Sequence, residues 1–92
     1  MILSFAHKGL ERFFCRGDYR GIPARNAARI ERLLDRLDAA IRADDMNLPG
    51  YRFHRLKGDR VGTYAVSVTG NLRTAFAFER EDATQVNLED YH

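Results

Sequence analysis

The sequence predicts an α+β fold: a small antiparallel sheet packed on two N-terminal helices, with one sheet face left open. Two observations predict it. Apolar residues recur at three- and four-residue spacing before residue 45, the pattern of helices with one buried face, and from Tyr51 onward they alternate, the pattern of half-buried strands. Helices grouped ahead of antiparallel strands cover only one face of the sheet. A chain of 92 residues with 45% hydrophobic content builds one core, so residues 1–92 are expected to form a single domain.

Each element has its own signature. "MILSF" is short, apolar and bounded by a polar segment, which predicts a first strand. In "HKGLERFFCRG" Leu10, Phe13 and Phe14 share one helical face and Gly17 stands where a helix ends. "GIPARNAARIERLLDRLDAAIRADD" predicts the main helix. Pro23 suits a first turn, while Ala27, Ile30, Leu34, Leu37 and Ile41 form an apolar stripe that Leu33 widens. Arg25, Arg29, Arg32 and Arg36 lie off the stripe, on a solvated or partner-binding face. Pro49 and Gly50 then break the helical pattern. Tyr64, Val66 and Val68 alternate, "TGN" turns the chain, and Leu72, Thr74, Phe76 and Phe78 alternate again, which is a hairpin. After the turn "EREDA", Val86 and Leu88 continue the alternation in a last strand.

The formal net charge of +2 hides an uneven distribution. Between residues 52 and 73, Arg52, Arg55, Lys57, Arg60 and Arg73 face a single acid, Asp59. Between 79 and 92, Glu79, Glu81, Asp82, Glu89 and Asp90 face a single base, Arg80. Nearly all the cations are arginine, the residue suited to two-pronged pairing with phosphate or carboxylate. Charge alone allows two readings: a polyanion-binding stretch, or a surface knitted by Arg–carboxylate pairs worth ~0–1 kcal/mol each. The lone Cys15, with neither an apolar leader nor a long apolar run, points to the cytoplasm and away from membrane and secretion.

Alternation also predicts what stands on the open face. With Leu72, Phe76 and Phe78 turned to the core, Arg73, Ala75 and Ala77 turn away from it, and an arginine beside two small residues leaves room for a ligand. In the last strand the same rule turns Val86 and Leu88 inward, Asp90 inward and Tyr91 outward.

The segments "HRLKGDRVGTYAVSV", "NLRTAFAF" and "EDYH" resemble the HigB branch of the RelE/ParE toxin superfamily, and "MILSFAHKGLERFF" and "GIPARNAARI" resemble its N-terminal strand and helices. The resemblance covers the whole chain. It implies a toxin encoded beside an antitoxin, and a ribosome-dependent endoribonuclease that cuts mRNA in the A site. It also implies a small antiparallel sheet on N-terminal helices, and a helix-turn-helix, HigA-like antitoxin as partner. The family's functional positions fall on His54, Lys57, Arg73, Asp90, Tyr91 and His92. One departure is Arg55, where close relatives are expected to carry Pro; it adds a cation and a less rigid backbone beside His54.

These residue types suit RNA cleavage without a cofactor. The 2′-OH must lose its proton, the departing 5′-oxygen must gain one, and charge on the phosphate must be stabilised. His54 and His92 fit the base and acid roles because imidazole titrates near pH ~6.5. Asp90 either orients a histidine or takes the proton itself, Arg73 and Lys57 are assigned to the phosphate, and Tyr91 either stacks on a base or holds the backbone. No metal is expected, because His7, His54, His92 and Asp90 contain no close ligand pair. Arg25, Arg29, Arg32 and Arg36 are the candidates for ribosomal RNA contact. Arg73 has a plainer alternative in a cross-strand pair with Glu89. Two rival functions keep the fold: a ParE-like gyrase inhibitor that cleaves no RNA, and an inactive module that only binds antitoxin.

Overall fold

The computed structural model describes residues 1–90. Helix α1, Lys8–Arg16, starts where the His7 Nδ1 accepts a hydrogen bond from the Leu10 amide at 3.0 Å, an imidazole in the role usually taken by Ser or Asp. It stops at Gly17, whose φ of 72° lets its amide and that of Asp18 turn back onto the carbonyls of Phe13 and Arg12. Helix α2, Ala27–Ala39, follows a short 3₁₀ turn at Ala24–Asn26 and buries Ile30, Leu33, Leu34 and Leu37. A second 3₁₀ turn, Ala43–Met46, closes the helical part.

Four strands make one antiparallel sheet in the order β1-β2-β3-β4: β1 His54–Arg55, β2 Thr63–Thr69, β3 Leu72–Glu79 and β4 Asp82–Asp90. The core lies between helices and sheet, where Leu10, Ile30, Leu34, Leu37 and Met46 meet Val66, Phe76 and Val86. This is the expected α+β arrangement, with the far sheet face uncovered by helices.

Three details depart from the sequence expectations. Ile41 is 56% exposed and takes no part in the stripe. The α-helix has already ended, because the Asp45 carboxylate accepts the amides of Ile41 and Arg42 and starts a new turn, and buried Ala43 and Met46 fill the core instead. Residues 1–6 form no regular strand. They run parallel to β4, bridging it only at Ile2–Ala83 and Phe5–Val86, because β4 bulges between those points at Gln85, with φ 57°. Their backbone still covers the outer edge of β4: Leu3 donates to Ala83, Ala6 to Val86, and the Ser4 hydroxyl accepts the Gln85 amide. Finally, Arg29 is drawn into the fold. Its Nη2 donates to the carbonyls of Gly50 and Ser67, both at 3.0 Å, and its guanidinium lies 5.2 Å from the centre of the Tyr51 ring. Arg25, Arg32 and Arg36 are exposed.

Candidate functional site

The uncovered sheet face is read from the register. His54 pairs with Ala65, Ala65 with Ala75 and Ala75 with Asn87, so these four side chains form one row; Ser67, Arg73 and Glu89 form the next. His54 and Arg73 therefore share the open face, two inter-strand gaps and two residues along the strand apart, or about 12 Å. Ala65 and Ala75 are buried although they stand outside the helix-side core, because the larger side chains around them on this face shelter them.

The backbone prepares His54 for a definite role. Arg52 adopts a left-handed conformation, φ 50°, and its carbonyl oxygen lies 2.9 Å from His54 Nδ1. A carbonyl only accepts, so Nδ1 is the donor in this contact. In the neutral tautomer that this contact favours, the lone pair is on Nε2.

Arg73, Glu89 and Arg60 form a bridged pair of cations. Glu89 Oε2 accepts from Arg60 Nη2 at 2.7 Å and from Asn87 Nδ2 at 3.3 Å, while Oε1 accepts from Arg60 Nη1 at 3.2 Å and from Arg73 Nε at 3.0 Å. The hydrogen bonds from Arg60 hold the Glu89 carboxyl below its ordinary range; partial burial opposes them and Arg73 adds to them. Glu89 is thus ionised at neutral pH and is no proton donor, and the cluster keeps one net positive charge. The loop between β1 and β2 brings Arg60 here through the 3₁₀ turn Gly58–Arg60, which Gly58 and Gly62 permit with φ of 71° and 94°. A concavity of about 210 Å³ opens beside the cluster, lined by Thr63, Ala75, Ala77, Asn87 and Arg60 among others.

The remaining predicted residues spread around this centre. Lys57 is exposed at the start of the Gly58–Arg60 turn. Asp90 is exposed at the end of β4, where its register partner is Leu72, so it falls on the opposite face from Arg73, as simple alternation expects. Tyr91 and His92 lie outside the described residues. Arg55 pairs with Tyr64 on the other face; it reaches Asp44 at 2.6 Å and stacks over Phe53 and Tyr64, so its charge is directed away from His54. Sequence reading missed Arg60 and Glu89 as parts of the site. Their signal was available only in part: the Arg73–Glu89 pairing follows from strand register, but nothing in the pattern shows that the loop folds Arg60 back onto the same carboxylate.

Comparison with known proteins agrees with the fold. Residues 3–92 match the family model described as the RelE-like toxin of type II toxin-antitoxin system HigB. The chain is also 42% identical to "Endoribonuclease HigB" of Proteus vulgaris over 92 residues, the full length of both proteins. A match of this extent leaves no segment of the sheet, the helices or the open face outside the likeness, and the chain belongs to the HigB-like family of RelE-like toxins of type II toxin–antitoxin systems.

Proposed function

We propose that the protein is an endoribonuclease that cuts mRNA on the ribosome, in the A site, and so arrests translation until a cognate antitoxin neutralises it. The observation that carries this reading is the oriented His54, with the lone pair on Nε2 in its neutral tautomer, on the same sheet face as the cationic Arg73–Glu89–Arg60 cluster. The name of the Proteus vulgaris relative, an endoribonuclease, supports it. In the reaction, the 2′-OH of the cut nucleotide attacks the adjacent phosphorus and its proton passes to a base, a role given to His54. The P–O5′ bond breaks, the 5′-oxygen takes a proton from an acid, a role left to His92, and a 2′,3′-cyclic phosphate results. Arg73 and Lys57 stabilise the charge on the phosphate oxygens. Asp90, at the end of β4, and Tyr91 are assigned to orienting these groups or the RNA backbone. Arg25, Arg32 and Arg36 supply ribosomal phosphate contacts, and the partner is a helix-turn-helix antitoxin of the HigA kind.

The test is cleavage of mRNA carried by programmed ribosomes, read by primer extension, beside a transcript with 2′-deoxy at the mapped site. Cutting of the first and survival of the second is the expected result. Intact mRNA together with altered plasmid supercoiling would instead establish a gyrase-directed toxin, and neither effect would leave a binding module.

A further inference from the structure

The concavity beside the Arg73–Glu89–Arg60 cluster has no part in the roles assigned above. Arg60 stands at its rim. Of the two guanidiniums that Glu89 holds, Arg73 is 14% exposed and Arg60 42%, so Arg60 is the one that meets solvent. Glu89 engages only part of Arg60's donor fork and fixes its plane from both carboxylate oxygens, so the long side chain is ordered before any ligand arrives. The space is about 210 Å³, below the ~300–1,000 Å³ of pockets for drug-sized ligands, which suits a single base or ribose. Its lining is also suited to one: Ala77 gives a small apolar floor, while Thr63 and Gln85 offer a hydroxyl and an amide to base or ribose edges.

We propose that Arg60 is a substrate-binding residue: it holds the phosphodiester of a nucleotide flanking the cut one, whose base or ribose rests against Ala77 and Thr63, with Glu89 as its positioning residue. This rests on the RNA-cleaving function proposed above. A flanking contact is the same in ground and transition states, so it lowers KM and leaves kcat nearly unchanged.

The experiment measures binding of a fluorescent, fully 2′-O-methylated single-stranded RNA across a salt series, and kcat and KM on programmed ribosomes, for wild type, Arg60→Gln and Arg60→Lys. Each protein is melted first. Gln can still donate to Glu89 and so keeps the fold. Arg60→Gln is expected to weaken RNA binding about tenfold, to reduce the salt slope by ~0.7, the value for one phosphate on a single strand, and to raise KM by a larger factor than it lowers kcat. Arg60→Lys should restore the slope and part of the affinity. Wild-type affinity and slope in folded Arg60→Gln would overturn the proposal. Should Arg60→Gln not fold, wild-type affinity in Arg60→Lys would overturn it and a severalfold loss would support it. A wild type that binds RNA through Arg60 but cuts nothing sinks the nuclease function and keeps the subsite, whereas normal cleavage with no Arg60 dependence does the reverse.

Discussion

At the scale of single residues, the same arginine can serve a structural pair and a chemical role. Arg73 is held by Glu89, and that pairing aims its guanidinium as firmly as a dedicated second contact would. Arg73→Ala is expected to slow cleavage by about 10²–10³-fold, the cost of losing one donor to developing charge, while Arg60 and Glu89 still pair; a rate within twofold of wild type on ribosomes would make Arg73 purely structural. His54→Gln removes the proton acceptor and should cost about 10²–10⁴-fold, with His92→Gln in the same range, both in proteins that melt normally. Glu89 has a pH signature. Its folded carboxyl sits below the ordinary 4.5, so its stabilising effect is complete above that value and is lost as pH falls through the folded value. Acid melts should therefore show Glu89→Gln less sensitive than wild type below ~pH 4.5. Asp18, lowered to about 2 by Arg20, and Asp45, lowered chiefly by the Ile41 amide, still supply a slope of the same sign.

At the scale of elements, helix α2 shows what periodicity reveals and what it misses. The apolar spacing correctly placed Ile30, Leu33, Leu34 and Leu37 in the core, because burial of one face is what the pattern records. It overran at Ile41, because a carboxylate four residues ahead competes for the same amides, and spacing does not register that competition. The last three strands were legible for the same reason as the helix, since alternation decides the face, whereas two-residue β1 is too short to show it; the Gln85 bulge was not legible, since a polar residue with positive φ leaves no mark in an apolar pattern. The four arginines of the helix face were equivalent in sequence and are unequal in the structure. Arg29→Met should lower the melting midpoint by the loss of hydrogen bonds to two carbonyls, about 1–3 kcal/mol, without a specific effect on ribosomes. Replacing Arg32 and Arg36 together should leave the melt alone, weaken ribosome association and flatten its salt dependence. An unchanged salt dependence would reassign that face to antitoxin or plain solvent.

At the scale of the whole molecule, the open sheet face is where remote parts of the chain meet: β1, the loop carrying Arg60, β3 and the far end of β4. The residues that resemble the toxin family were legible as a set, yet the bridge that organises them comes from folding a loop onto a strand 29 positions away. The N-terminal segment along β4 is the most remote contact of all, with Ser4 and Gln85 separated by 81 positions. Contacts of such separation form late, after the local helices and hairpins. A chain emerging from synthesis can complete α1, α2 and the β2–β3 hairpin, but it has no β4 to receive residues 1–6 and no Glu89 to gather Arg60 and Arg73. The cationic cluster and the covered edge of β4 are therefore the last parts of the open face to be assembled, and both depend on residues 83–89 being free to pair.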